Sequence, residues 1–143
     1  MVHYTDILDK ALCSFDFEEG LDGWVRTGTA FDNQPTYGDN PTARNQRQPA
    51  NQHGDWWIGG YEDRPSKWAT AGRSQLDEPQ GTLTSPTFDI QGNYISFLIG
   101  GGCDVDAIRA ELIVDDRVSR TLNLVKVGFT LQELTKKKAG EPK

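Results

Sequence analysis

Aromatic side chains are dense in one short part of the chain, between residues 56 and 68. Four of the fourteen aromatic residues lie there, directly after the most polar segment of the sequence. Flat aromatic rings stack on the apolar faces of sugar rings, while amide and guanidinium groups bind the sugar hydroxyls. These residue types predict a binding surface, with carbohydrate as the expected ligand. The candidate contact residues are Trp57, Tyr61, Trp68, Tyr37 and Arg44.

Trp56 and Trp57 are adjacent, so on a regular strand only one of them faces outward, because successive side chains alternate between the two faces. Tyr61 lies an even number of residues from Trp57 and therefore shares its face. We expect Trp57 to be the exposed member of the pair and Trp56 to be a core residue.

The remaining residue types offer little for catalysis. The chain has two histidines, His3 and His53, and no sequence motif marks either of them as the general base for a catalytic nucleophile. Cys13 and Cys103 permit one disulfide without requiring it, and the cysteines and histidines lack the short paired spacings of zinc sites. The sequence therefore predicts a protein that is not an enzyme, with no catalytic residue.

Adjacent or near-adjacent carboxylates recur along the chain, and such pairs usually face water. A calcium ion could be held by Asp104 and Asp106 with backbone oxygens, but no full calcium-binding loop surrounds them. The other pairs are Glu18-Glu19, Glu62-Asp63 and Asp115-Asp116.

Length, composition and charge exclude several classes of protein. A chain of 143 residues with 36% hydrophobic and 25% charged residues is typical of one globular domain. Its net charge of -6 argues against general affinity for nucleic acid or for anionic membranes. No apolar run approaches the ~18 residues of a membrane span. We expect no nucleic-acid partner and no membrane insertion, and residues 1–13 lack the pattern of a signal peptide.

The elements that must position the aromatic residues are predicted to be strands. Period-two alternation is clear over residues 107–114, and residues 94–99 are apolar on both faces, as in a covered central strand. Shorter strands are predicted at 14–17, 24–27, 56–61 and 81–84, separated by glycine and proline. This pattern predicts an all-β, antiparallel sandwich. The residues expected to be mostly buried are Ile95, Phe97, Ile99, Ile108, Leu112 and Val114.

Three glycines follow the strand predicted at 94–99, in the run ISFLIGGGCD. A phosphate-binding loop would need Lys-Ser/Thr after the glycines, and a dinucleotide-binding loop would need a helix there. Neither follows in this chain. We interpret the glycines as a bend in which the backbone approaches closely or takes positive φ.

Residues 32–55 form a long polar segment without apolar periodicity. It exceeds the ~12–15 residues of an ordinary loop. Two interpretations stay open at this point: a mobile insertion, or a binding loop on one edge of the sandwich.

Several motifs carry a family resemblance. FDFEEGLDGW at residues 15–24 is similar to the start of many extracellular jelly-roll modules, including carbohydrate-binding modules and MAM domains. Over about residues 13–121 the chain resembles the accessory β-sandwich module of some bacterial glycoside hydrolase family 32 proteins, such as levanases. The more specific segments are GTAF at 28–31, GTLTSP at 81–86, YISFLIGGG at 94–102 and LIVD at 112–115.

The resemblance implies a jelly-roll-like antiparallel sandwich and a noncatalytic accessory role in an extracellular protein. The partner it implies is carbohydrate or another extracellular protein. A structural or protein-interaction domain without a small ligand is the alternative. In calcium-containing jelly rolls a carboxylate of the first strand often binds the metal, which points by resemblance to Glu18 and a structural calcium ion.

The resemblance ends after Thr121, which predicts an N-terminal extension at 1–12, a β-sandwich module at 13–121 and a divergent tail at 122–143. The fold is therefore expected to be incomplete at its C-terminal end. Alternation from Val125 to Leu131 favours a strand in the tail, whereas Thr130 and Glu133 have the spacing of a helix capping box.

A tight hairpin is predicted at Asp115-Asp116. The family commonly has Val-Asp-Gly where this chain has Val114-Asp115-Asp116. A two-residue type I′ turn needs positive φ at both central positions, which glycine accepts most easily. We therefore expect left-handed strain at Asp116.

Overall fold

The computed structural model describes residues 14–45, 48–89, 94–100, 104, 106–123 and 130–135. His3, Cys13 and Cys103 lie outside the described residues. The chain divides into two compact units, Met1–Ile90 and Gln91–Lys143. Its elements are β1 (Val25–Gly28), β2 (Thr36–Tyr37), α1 (Asn40–Ala43), β3 (Trp56–Trp57), β4 (Gly81–Thr84), β5 (Tyr94–Ile99), β6 (Arg109–Val114), β7 (Arg117–Asn123) and β8 (Thr130–Thr135).

The described strands pair into four antiparallel two-stranded sheets. In the first unit β1 pairs with β4 and β2 pairs with β3, and in the second unit β5 pairs with β8 and β6 pairs with β7. The all-β prediction is confirmed, while the jelly-roll arrangement stays a prediction. No helix in the described part of the chain is long and apolar enough to cross a membrane.

The sheet of β1 and β4 depends on close backbone approach at its end. Gly28 has φ 63°, and a Cβ atom there would lie 2.1 Å from the carbonyl oxygen of Gln80, so only glycine fits. Next to it, the hydroxyls of Thr27 and Thr82 form a cross-strand hydrogen bond of 2.6 Å. The predicted strand at 81–84 is confirmed as β4.

Residues 14–17 do not form the strand that was predicted there. Phe17 has φ 65°, and the backbone N–H of Glu18 donates to the Asp16 side chain over 3.1 Å. A left-handed residue beside this local hydrogen bond breaks the extended conformation. The aromatic rings pack instead as a cluster, with Phe15 edge-on to Trp24 at 5.1 Å and to Phe88 at 5.6 Å between centroids.

The glycine-flanked run of the second unit is strand β5, as predicted. β8 pairs with it along its whole length, from Tyr94 opposite Thr135 to Ile99 opposite Thr130. The helix suggested by the Thr130–Glu133 spacing is therefore wrong, because those residues form a strand. Residues 125–129 of the predicted tail strand lie outside the described residues. Ile95 and Ile99 are half-buried, and the side chain of Phe97 lies outside the described part of the structure.

The β6–β7 hairpin turns at Asp115 and Asp116, whose φ values of 52° and 59° are both left-handed, which confirms the predicted tight turn. Leu112 is half-buried, but Ile108 and Val114 are 43% and 39% exposed, so their predicted burial is wrong. Ile108 precedes the strand, and the register shifts between Leu112 and the next residue, which breaks the alternation on which the prediction relied.

Polar residues fill most of the buried positions in the described part of the first unit. The buried apolar residues there are Ala30 and Ala50. The buried polar residues are Gln34, Thr36, Asn40, Glu62 and Asp63. Buried polar groups are tolerated only when hydrogen bonds satisfy them, so the packing of this unit follows its hydrogen-bond network.

Candidate functional site

β2 and β3 bring two aromatic rings together across a short antiparallel pair. Tyr37 lies directly opposite Trp56, and their ring centroids are 5.1 Å apart with a tilt of 58°. Such a cross-strand aromatic pair stabilises a sheet by roughly 0.2–1 kcal/mol. Both residues are half-buried, so the pair retains an accessible side.

A turn from Ser66 to Ala69 presents the next two candidate side chains. The N–H of Ala69 donates to both the carbonyl oxygen and the hydroxyl of Ser66, over 3.2 and 3.0 Å. Lys67 and Trp68 are therefore the central residues of a turn, whose side chains have no strand neighbours to cover them. Trp68 is 94% exposed.

The Tyr37 ring connects this turn to the aromatic pair. The backbone N–H of Tyr37 donates to the Arg64 carbonyl oxygen over 2.9 Å. The Arg64 guanidinium lies 5.1 Å and the Lys67 ammonium 5.4 Å from the Tyr37 ring centroid, both within cation–π range. We call Tyr37, Trp56, Arg64 and Lys67 the Tyr37 cluster.

Trp57 is committed to internal packing more than was predicted. Its indole N–H donates to the carbonyl oxygen of Gly38 over 2.9 Å, and its ring lies so close to Gly59 that a Cβ atom there would be 2.9 Å away. β3 ends at Trp57, whereas a strand over residues 56–61 was predicted. The alternation argument therefore does not reach Tyr61, and Trp57 is half-buried, as is Trp56.

Arg44 and Tyr61 belong to a second cluster, centred on the Glu62 carboxylate. The Arg44 guanidinium binds Glu62 through both terminal nitrogens, with 2.7 Å between Nη2 and Oε1, and lies 5.2 Å from the Tyr61 ring centroid. The hydrogen bonds to Glu62 raise the pKa of Arg44, so its charge is permanent. Glu62 is 4% exposed, which makes this a buried ion pair.

Buried amides complete the surroundings of Glu62. The Asn40 amide nitrogen donates to Glu62 Oε2 and to the Arg73 carbonyl oxygen, and the Asn40 amide oxygen accepts from the N–H of Gly72 over 2.7 Å. The Gln34 amide nitrogen donates to the Glu62 carbonyl oxygen over 3.1 Å. We call Gln34, Asn40, Arg44 and Glu62 the Glu62 network, and it fixes the polar segment to residues 59–73.

α1 begins at a capping carboxylate that also connects to a distant part of the polar segment. Asp39 accepts from the Thr42 hydroxyl over 2.6 Å and from the backbone N–H of Ala50 over 2.9 Å. Partial burial acts to raise the pKa of Asp39, but the hydrogen bonds from Thr42 and Ala50 outweigh it and hold the pKa below its usual value.

Glu18 fixes the backbone that leads into β3. Its Oε1 accepts from the N–H groups of Asp55 and Trp56, over 2.8 and 3.1 Å, and a Cβ atom at Gly54 would collide with that oxygen. Within the described ranges, no group of three or more His, Cys, Asp or Glu side chains could hold a metal ion. Glu18 thus has a backbone-fixing role in the structure, and a calcium ion at Glu18 stays a prediction of the resemblance alone.

The second possible calcium position is also used locally. Asp104 Oδ1 accepts from the backbone N–H groups of Asp106 and Ala107, over 3.1 and 3.3 Å. These hydrogen bonds shape the turn that precedes β6 and give the Asp104 carboxylate a structural role.

The structure groups the predicted contact residues differently from the sequence. Tyr37 joins the Tyr37 cluster, and Trp68 follows Lys67 in the adjoining turn. Arg44 belongs to the Glu62 network, and its guanidinium lies over the Tyr61 ring. Sequence reasoning missed Trp56, Arg64 and Lys67 as members of the Tyr37 cluster. The available signal was the spacing of Arg64, Lys67 and Trp68 around Pro65 and Ser66, a turn-forming pair that presents charged and aromatic residues together.

The expectation that Glu62 and Asp63 face water is wrong. Both are buried and paired, Glu62 with Arg44 and Asp63 with Arg73 over 2.7 Å.

The resemblance to an accessory module rests on the sequence motifs. No family model matches this chain, and neither the curated proteins nor the solved structures contain a significant match to it.

Proposed function

We propose that this chain is a noncatalytic binding module whose ligand is a carbohydrate. The observation that carries the proposal is Trp68, which is 94% exposed in the turn beside the Tyr37 cluster. Leaving a tryptophan in water forfeits roughly 2–3 kcal/mol of burial, and such a residue is the usual anchor of a binding surface. Its flat face suits the apolar face of a sugar ring.

Three carboxylates of the first unit support a noncatalytic role because their oxygens serve the fold. Glu62 and Asp63 are in ion pairs with arginines, and Glu18 accepts from two backbone N–H groups. A glycoside hydrolase needs two carboxyl groups that face a substrate from both sides of the scissile bond. The proposed fold is a jelly-roll-like sandwich and the proposed location is extracellular, both on the resemblance stated above.

The contact surface that we propose consists of Trp68 and Tyr37. Arg44 and Trp57 are less suited to it, because the Arg44 guanidinium is engaged by Glu62 and the indole N–H of Trp57 by Gly38. Tyr61 and Trp57 were predicted as contacts and are half-buried, and in this proposal they become secondary contacts.

The experiment is affinity electrophoresis of the full chain in gels that contain soluble plant or microbial polysaccharides. We expect retardation by at least one polysaccharide, and we expect the Trp68→Ala variant to lose it with an unchanged melting temperature. Val25→Ala is the matched control, since Val25 is a 62% exposed apolar residue of the same unit. Retention of binding by Trp68→Ala, or no binding by the wild type, would contradict the proposal.

A structural or protein-interaction domain is the second candidate function. Ile113 and Val118 lie directly opposite each other on the β6–β7 hairpin and are 52% and 53% exposed. Two exposed apolar side chains at one cross-strand position favour contact with another protein. This candidate takes the place of the first if no polysaccharide retards the chain, if sedimentation shows that the chain self-associates, and if Val118→Thr abolishes that self-association.

A further inference from the structure

The positive charges of the Tyr37 cluster have no anionic partner within the described ranges. The ion pairs described there join Arg44 to Glu62, Arg73 to Asp63 and Arg109 to Glu111. None of them includes Arg64 or Lys67. The Arg64 Nε is buried and has no hydrogen-bond partner among the described atoms.

Two unpaired cations on one ring are electrostatically unfavourable. Both charged groups lie within 5.4 Å of the Tyr37 ring centroid, so two like charges share one ring, and like charges repel. A cation–π contact at an exposed site stabilises by only about 0.5–1 kcal/mol. The Tyr37 ring alone therefore stabilises the placement of two cations beside it only weakly.

Nearby carboxylates could neutralise this charge, but the closest ones in sequence have other partners. Glu62 and Asp63, which directly precede Arg64, are bound by Arg44 and Arg73. Asp39, two residues after Tyr37, accepts from Thr42 and Ala50. In a chain with a net charge of -6, the cluster thus combines two cations, and the acids next to Arg64 and Tyr37 in sequence are bound by other groups.

We infer that the Tyr37 cluster and Trp68 bind an acidic polysaccharide, in which carboxylate or sulfate groups alternate with stackable sugar faces. This inference rests on the proposed function and names its ligand class. The planar Arg64 guanidinium suits bidentate recognition of a carboxylate or sulfate, and Lys67 provides a mobile point charge. Trp68, which follows Lys67 in the same turn, provides the stacking face for an adjacent sugar ring.

The test compares polysaccharides with and without negative charge on the same sugar backbone, using the full chain and isothermal titration calorimetry. The pairs are dextran sulfate with dextran, and polygalacturonate with its methyl ester. We expect tighter binding to the charged member of at least one pair, weakened by added salt. The pair that shows the difference distinguishes sulfate from carboxylate recognition.

Three charge-removing variants give the test its specificity. Arg64→Gln and Lys67→Gln should each weaken binding to the charged polysaccharide by about tenfold, the effect of losing a charge-assisted hydrogen bond. Arg117→Gln removes the same charge from an exposed residue at the start of β7 and should leave the affinity unchanged. Lys67 is exposed, so its variant tests the inference even if Arg64→Gln lowers stability.

Each of the remaining outcomes contradicts the acidic ligand, the binding site or the proposed function. Equal, Trp68-dependent binding of charged and neutral members would refute the acidic ligand and leave the proposed function standing. Equal weakening by all three variants would mean general charge attraction and no site. Tighter binding of a single-stranded oligonucleotide would replace the polysaccharide with nucleic acid. No binding of any polysaccharide would refute the inference together with the proposed function.

Discussion

Arg44 binds Glu62 through both terminal guanidinium nitrogens, in a buried ion pair that joins the end of α1 to the segment preceding Arg64. The two residues are eighteen positions apart. The pair matters for the binding surface because Glu62 and Asp63 lead directly into Arg64, whose carbonyl oxygen accepts from Tyr37. The Glu62 network thereby fixes the backbone from which the Tyr37 cluster projects.

Glu62→Gln should destabilise the protein strongly. The substitution leaves the Arg44 charge, whose side chain is only 18% exposed, without its carboxylate partner. Breaking a buried ion pair in this way costs about 3–5 kcal/mol. Chemical denaturation followed by tryptophan fluorescence measures the loss.

Glu111→Gln is the matched control for that substitution. It removes the carboxylate of the Arg109–Glu111 pair, whose side chains are 41% and 30% exposed. We expect no measurable change in stability, because solvent screens exposed pairs. Similar losses in both variants would contradict a specific role for burial at Glu62.

The capping role of Asp39 predicts a dependence of stability on pH. Hydrogen bonds hold the pKa of Asp39 below its usual value in the folded state, against an opposing effect of partial burial. Its stabilisation is therefore fully present above the unfolded-state pKa of about 3.9 and is lost as the pH falls through the lower folded-state pKa. The stability difference between wild type and Asp39→Asn should be constant above about pH 5 and should shrink as the pH falls below about 4.

Asp77→Asn is the comparison for the pH experiment. Asp77 is exposed and makes no hydrogen bond among the described residues. Its stability difference from wild type should be small at every pH. If the difference for Asp39→Asn stays constant over the same range, the capping carboxylate is not the source of the effect.

Two substitutions of Glu18 separate a backbone-fixing role from a calcium-binding role. Glu18→Ala removes the acceptor for the N–H groups of Asp55 and Trp56 and should cost about 1 kcal/mol. Glu18→Gln keeps a side-chain oxygen and should cost less. We expect thermal melting with calcium and with EDTA to coincide for the wild type. A calcium-dependent rise in melting temperature, lost in both variants, would instead support the metal site.

The strands of the chain were predictable wherever local signals determine them. Strand β5 follows from the apolar residues of its own segment. The tight turn follows from the two turn residues, Asp115 and Asp116. The strand predicted at residues 56–61 was too long, because β3 ends at Trp57, shortly before Gly59 and Gly60. Nothing in the sequence indicates that Phe17 takes a left-handed φ, and that conformation is incompatible with the strand predicted at residues 14–17.

The Glu62 network was not predictable, because its partners are polar residues separated by long stretches of sequence. Asn40 and Gln34 lie in a segment that reads as an ordinary polar loop, and hydrophobic periodicity says nothing about such residues. Their burial depends on mutual hydrogen bonds with Glu62 that form only in the folded chain. The Tyr37 cluster was not predictable for the same reason, because Arg64 and Tyr37 are twenty-seven residues apart in the sequence.

The β6–β7 turn predicts a stabilising substitution. Asp115 and Asp116 both have left-handed φ, at 52° and 59°. An L-residue in this conformation costs roughly 1–2 kcal/mol, of which aspartate recovers part through its short polar side chain, whereas glycine is free of the penalty. Asp116→Gly should therefore stabilise the hairpin by up to about 1 kcal/mol and raise the melting temperature by about 4 °C.

Asp77→Gly is the control for this substitution, since Asp77 is an exposed aspartate without a left-handed φ among the described residues. There the added glycine only increases the freedom of the unfolded chain, so the melting temperature should fall. Differential scanning calorimetry of both variants measures the two shifts. Opposite signs at the two positions would locate the effect in the turn conformation. A fall at both positions would mean that the strain at Asp116 is already relieved and that the tight turn does not limit stability.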